Sequence, residues 1–154
     1  MNWKVPPAIK VYEALGALAD ARVKVLGDSA DVLSSSGNKT YKVQYDSKIP
    51  AITANDNGSY WQGYLGYPSI AFLLKRGILR YDKELAGLLK GIQWKDINSQ
   101  FDNDYEKVLK YVFEVIQESG NISELKNEVE KIIGQISELD IARLPAREKP
   151  PKGY

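Results

Sequence analysis

The chain has 154 residues, 44% hydrophobic and 27% charged, the proportions of an ordinary globular protein of one domain or a small module with an extension. Cysteine and histidine are absent, which excludes disulfides, thiol chemistry, ordinary zinc sites and a catalytic histidine, and leaves any acid–base work to Asp, Glu, Lys or Tyr with shifted pKa values. No apolar run nears the roughly 18 residues of a membrane span, and Met1 to Pro7 lack the charged-then-apolar build of a secretory signal, so no membrane association and a cytoplasmic location are expected.

Pro6-Pro7 sit where a helix can start, and Ile9, Tyr12, Leu15, Leu18 and Ala19 recur at helical spacing, predicting an amphipathic helix over about 7–21. Arg22 to Leu26 reads as a strand that Gly27-Asp28 breaks or bulges and that Ala30 to Ser34 continues. Ser35-Ser36-Gly37-Asn38 is turn chemistry. In Thr40 to Tyr45, Tyr41, Val43 and Tyr45 alternate with polar residues, giving the second strand of a hairpin. From Ile49 to Pro68 the chain reads as irregular. A helix is expected from Pro68 to Leu74, stopped by Gly77, and a short one from an Asp82 cap to about Lys90.

A longer helix follows from near Asn103 to Glu118, with Tyr105, Val108, Leu109, Val112, Val115 and Ile116 on its apolar face. Ser119-Gly120-Asn121 turns the chain, and Asn121 with Glu124 has capping-box spacing. Ile122, Leu125, Val129, Ile132, Ile136 and Leu139 then form a seam at alternating spacings of three and four, so the two helices are expected to make an αα-hairpin. Beyond Leu144 the chain is polar and Pro-rich, an extended tail. The expected fold is α+β: a small antiparallel sheet with helices (1–81), a helical extension (82–141) and the tail (142–154).

Residues 30–74 resemble the SWIM zinc-finger family, whose pattern is a β-hairpin, a Cys-x-Cys pair, a loop, then Cys-x-His at a helix start. Val32 to Val43 looks like its hairpin, including Tyr41-x-Val43. Ala51 to Ala54 falls where the first ligand pair would be, and Gly66-Tyr67-Pro68 precedes the second. All four ligand positions differ, being Ile52, Ala54, Ser69 and Ala71, a set that cannot hold zinc. A structural zinc contributes folding free energy, so the expectation is a hydrophobic plug in its place, with no metal and no cofactor. The resemblance implies a role in binding DNA or proteins and implies no catalytic residues.

The net charge of +1 divides into +4 for 1–81, −6 for 82–141 and +3 for the last thirteen residues. A polyanion would be drawn to the first and last segments and repelled by the middle. The cations available to a nucleic-acid backbone are Lys24, Lys39, Lys42, Lys48, Lys75 and Arg76, with Arg143, Arg147, Lys149 and Lys152 in the tail. Tyr60 and Tyr64 are candidates to stack on bases, whereas Trp61 and Tyr67 are better read as core filling. The tail serves equally well as a solubilising end. Asp102-Asn103-Asp104 has calcium-loop spacing without the glycine and distal glutamate, and helix capping explains it better.

The expected function is therefore that of a non-enzymatic adaptor associated with nucleic acid, DNA or RNA, within a larger nucleoprotein assembly. The alternative is a pure protein–protein subunit or homodimer using the helical hairpin, with Ile132 and Ile136 facing the partner. An enzyme would need a deep pocket with convergent carboxylates, lysines or tyrosines, which sequence spacing does not assemble.

Overall fold

The computed structural model describes residues 3–145 and 148–152. In chain order it contains α1 (Ala8–Ala19), β1 (Val23–Leu26), β2 (Ser29–Leu33), β3 (Thr40–Asp46), β4 (Ala51–Ala54), a π-helical turn (Gly58–Gln62), α2 (Tyr67–Lys75), α3 (Lys83–Gly87), α4 (Trp94–Gln100), α5 (Tyr105–Ile116), α6 (Ile122–Glu138) and β5 (Ala142–Arg143). The fold is α+β, with a sheet ordered β1-β2-β3-β4-β5. The first four strands form an antiparallel meander, and β5 joins β4 in parallel.

The hairpin expected at 30–45 is present as β2 and β3, with Leu33 opposite Thr40 and Ala30 opposite Val43. Arg22–Leu26, however, does not continue into it as one strand. Gly27 adopts a φ of +62°, and with Asp28 it closes a two-residue loop that folds β1 back on β2, Leu26 facing Ser29. Glycine first in a two-residue hairpin is the arrangement that matches strand twist. Two further elements were not expected, β4 within the stretch read as irregular and α4 before the long helix. β4 is buried along its whole length, and α4 occupies 94–100.

The strands alternate across the sheet as their period of two demands. Val23, Ala30, Val32, Val43, Ile52 and Ala54 enter the core, while Lys24, Lys42 and Gln44 face out. α2 lies on the inner face against β1, β3 and β4, and α1 packs on α2. α3 and α6 cover the remaining side of α1. This layering corrects the expectation of an amphipathic first helix. Val11, Ala14, Leu15 and Ala17 are inaccessible around most of the α1 circumference, the signature of a helix inside a core.

The caps are those the sequence indicated. The Asp82 carboxylate accepts from the Glu84 and Leu85 N–H groups, Asp104 from Lys107, and Asn121 from Glu124. The seam of α6 is closed: Leu125, Val129, Ile132 and Ile136 are core residues. Ile132 and Ile136 are 0% exposed, so they are not the partner-facing residues the sequence suggested. A seam with coiled-coil spacing is equally what a helix packing on α1 and α3 requires. On α5, Val108, Val112 and Ile116 are buried as expected, but Val115 is exposed.

The stretch read as a tail begins inside the sheet. The Ala142 N–H donates to the Pro50 carbonyl at 2.8 Å and the Leu144 N–H to that of Ile52 at 3.0 Å. Farther on, Glu148 lies beside Lys42, Gln44 and Thr53 on the outer face, and the Pro151 carbonyl accepts from Lys39 Nζ at 3.4 Å.

Candidate functional site

Four segments far apart in sequence surround a polar cavity of about 170 Å³. α1 contributes Lys10 and Glu13, the β2–β3 loop Ser34, Ser35 and Lys39, the segment after β4 Asp56, Asn57 and Gly58, and α4 Trp94, Lys95, Asn98 and Ser99. Arg22, Tyr41, Tyr67 and Asn103 complete the wall.

Local hydrogen bonds fix each wall. Asn55 Oδ1 accepts from the Lys42 N–H at 2.7 Å, tying the end of β4 to β3 and so setting where Asp56 begins. Asp56 Oδ2 accepts from the Ser59 N–H at 3.1 Å, and Ser59 Oγ accepts from the Gly66 N–H at 3.3 Å. The Asp56 carboxylate occupies the space in which a Gly66 side chain would stand. The Lys95 N–H donates to Ser35 Oγ at 3.1 Å, joining the start of α4 to the β2–β3 loop. Trp94 is likewise seated on α1, where only a glycine at position 16 leaves room for its indole.

Asp56 is 6% exposed. Burial pushes its carboxyl above the ordinary range, although hydrogen bonds from Ser59 and the Lys10 charge oppose the shift. Lys10 and Glu13 pair at 3.0 Å. Burial disfavours the Lys10 ammonium, but Glu13, with Tyr105 and Tyr64 nearby, outweighs it and raises the pKa. Lys95 is shifted the other way, by burial and then by the neighbouring Lys39 charge. The Tyr67 hydroxyl is raised chiefly by burial. Among the described residues, four buried side-chain polar atoms lack a hydrogen-bond partner: Asp56 Oδ1, Ser69 Oγ, Trp94 Nε1 and Asn98 Oδ1. Asp56, Trp94 and Asn98 all line this cavity.

A family model described as Uncharacterised conserved protein UCP014422 matches residues 3–142. The chain belongs to that family. No curated protein and no solved structure matches it. The matched span contains every wall of the cavity, from Lys10 to Asn103.

The residues chosen from sequence are not gathered into one surface. Lys39 lines the cavity. Tyr64 is half-buried over Gly58, close enough to Lys10 to influence its charge. Lys42 pairs with Asp31 at 2.8 Å across the outer face. Lys75 donates to the Val23 carbonyl at 2.6 Å, and Arg76 holds the β1–β2 turn through the Gly27 carbonyl and Asp28. Arg143 donates to the Ser59 carbonyl at 3.1 Å and lies over the Trp3 ring. Lys75, Arg76 and Arg143 thus hold loops and edges of the fold, while Lys42 pairs on an exposed face.

Lys24, Lys48, Lys149 and Lys152 are exposed, and Arg147 lies outside the described residues. Tyr60 is half-buried, with its ring edge-on to Trp61 at 4.5 Å. Trp61 is 65% exposed rather than core filling, whereas Tyr67 packs on the core as expected. Asp102 and Asn103 take positive φ values of 51° and 60° at the turn before the Asp104 cap. Among the described residues no group of three or more carboxylates could hold a metal ion, and no helix is long and apolar enough to cross a membrane.

Sequence reasoning missed the cavity because its parts lie far apart along the chain. The available hints were local. Asp56 sits within Asn55-Asp56-Asn57-Gly58, and Trp94, Lys95, Asn98 and Ser99 make a polar face beside a tryptophan. Neither identifies the other as its neighbour.

Proposed function

We propose that this protein is a binding module for a small polar ligand held in the cavity between α1, the β2–β3 loop, the Asn55–Gly58 segment and α4. The observation that carries the reading is the enclosure itself: a cavity of about 170 Å³ whose wall is polar and charged, with Lys10, Glu13, Asp56, Lys95, Asn98 and Ser99 brought together from separate segments, the kind of concave site with convergent polar groups that small ligands occupy. Binding rather than turnover is favoured because Glu13 is committed to Lys10, which leaves Asp56 as a lone carboxyl with no histidine or cysteine to work with. A cytoplasmic setting fits a metabolite ligand.

The test is a ligand-observed NMR screen of small polar metabolites against the full chain. Hits should shift the Trp94 indole N–H and disappear in Ser99→Trp, which plugs the mouth. A screen without a single compound competing at this cavity would defeat the proposal.

A second reading, the nucleic-acid-associated adaptor of the SWIM resemblance, draws support from two observations. Ile52, Ala54, Ser69 and Ala71 are all buried, as a metal-free version of that unit requires, and the exposed Trp61 beside Tyr60 offers a stacking surface. It predicts salt-steep binding of a labelled single-stranded oligomer, weakened by Trp61→Ala. Absence of any binding at low salt would remove it.

A further inference from the structure

Val115 stands where the spacing of α5 expects a buried residue, yet it is 55% exposed, and Tyr111, one turn before it, is 38% exposed. Residues four apart share one stripe of a helix, and the Phe101 ring, tilted against Tyr111 at 5.8 Å, widens this one. Among the described residues, these are the only large hydrophobic side chains exposed on an α-helix.

The charges along the stripe run in an order that α5 alone does not favour. Its first turn, with Glu106 and the Asp104 cap, suits the positive end of the helix dipole. Its last turn holds Glu114 and no basic residue, and Glu118 follows just beyond the helix, so carboxylates sit at the negative end. Lys107, four residues before Tyr111, makes a 3.9 Å contact with Asp104 between two exposed side chains, a pairing that contributes little. Turned end for end, however, the stripe is its own complement. With two α5 helices antiparallel about a two-fold axis beside Phe113, Lys107 of one copy meets Glu118 of the other and Tyr111 meets Val115. An isologous contact makes each pairing twice, and it brings a cation to each acidic helix end. Within Tyr105–Ile116 two lysines balance two glutamates, so the helix itself is neutral although residues 82–141 carry a charge of −6.

We propose that α5 is a self-association surface on which a second copy of this chain docks antiparallel, Tyr111 and Val115 at its centre and Lys107 with Glu118 as reciprocal ion pairs. The surface is independent of the cavity. A contact along about three turns of helix is smaller than a standard interface, so the dimer is transient.

Sedimentation velocity of the full chain tests it. At concentrations up to about 1 mM, the range a small transient interface requires, a monomer–dimer equilibrium should appear and weaken with added salt. Lys107→Glu and Glu118→Lys should each weaken it about tenfold, because the two-fold axis repeats every reversed contact. The double variant Lys107→Glu/Glu118→Lys should dimerise as the parent does, and an equimolar mixture of the two single variants should form a heterodimer where neither dimerises alone. Val115→Glu should abolish the dimer and leave the circular dichroism unchanged, since the side chain is already in water. A parent chain that stays monomeric throughout overturns the proposal. A double variant no better than the single ones overturns it too, as does dimerisation indifferent to Val115→Glu, which would put the contact on another face.

Discussion

Lys10 and Glu13 lie one turn apart on α1, their charged ends 3.0 Å from each other and both largely withdrawn from water. Glu13→Gln would leave the Lys10 ammonium buried without its counter-charge, a change that typically costs 3–5 kcal/mol. A loss of about 3 kcal/mol in urea unfolding is expected, with much of it recovered in Lys10→Met/Glu13→Leu, because a packed apolar pair replaces two desolvated ions. A loss under about 1 kcal/mol for the single variant would mean that water solvates the pair. Asp56 predicts a pH effect of definite sign. Its carboxyl is lifted above the ordinary 3.8, so between that value and the lifted one the folded state holds more protons than the unfolded state. The stability this group contributes therefore falls as pH rises through that window. Asp56→Asn keeps an acceptor for the Ser59 N–H and removes the titration. Its melting temperature relative to the parent should climb as pH rises above 3.8, and a flat difference would show that the carboxyl is not desolvated. The Lys10–Glu13 pair can be read from helix spacing alone. The burial of Asp56 cannot, since the Gly66 against which it rests is ten residues away on the far side of a turn.

Secondary elements were legible where a periodic pattern or a cap announced them. α2, α3, α5 and α6 all begin close to the expected residue because Pro68, Asp82, Asp104 and Asn121 each solve the problem of unpaired N–H groups locally. β4 escaped notice for the opposite reason. Ala51-Ile52-Thr53-Ala54 is buried throughout, so it shows no alternation and is too short to stand out by composition. α4 has no side-chain cap and only two buried side chains, Trp94 and Ile97, so its helicity depends on tertiary support. That support is tight at one point: a Cβ at Gly16 would stand 2.6 Å from Trp94 Nε1. Gly16→Ala should push α4 off α1 and cost about 1–3 kcal/mol, even though alanine is the better helix former. Any ligand affinity of the cavity should fall in parallel, because Lys95 and Asn98 travel with Trp94. An alanine variant as stable as the parent would show that α4 adjusts freely.

The division into a sheet module of residues 1–81 and a helical extension of residues 82–141, natural from charge and periodicity, has a physical consequence to weigh. One cluster of buried residues runs from Trp3 to Ile141. α1 stands in its middle, meeting α2 on one side and α3 and α6 on the other, so the helices after residue 82 bury the same α1 that the sheet needs as its backing layer. The link is polar as well as apolar. The Gln135 side chain on α6 exchanges two 2.8 Å hydrogen bonds with the Arg80 backbone, and Glu128 accepts from the Asp82 N–H at 2.6 Å. Periodicity reveals that α6 has an apolar face but says nothing of what covers it, which is why the same seam suggested an external partner. Ile136→Asp distinguishes the two arrangements. On an exposed seam a carboxylate costs little and removes self-association, whereas in this core it buries an unpaired charge and should cost more than about 4 kcal/mol. The expected outcome is loss of the whole fold in one step, the near-ultraviolet signals of Trp3 and Trp94 vanishing together with helicity. Retention of a folded sheet with only the C-terminal helices melted would mean that the two parts stand independently and that α1 does not couple them.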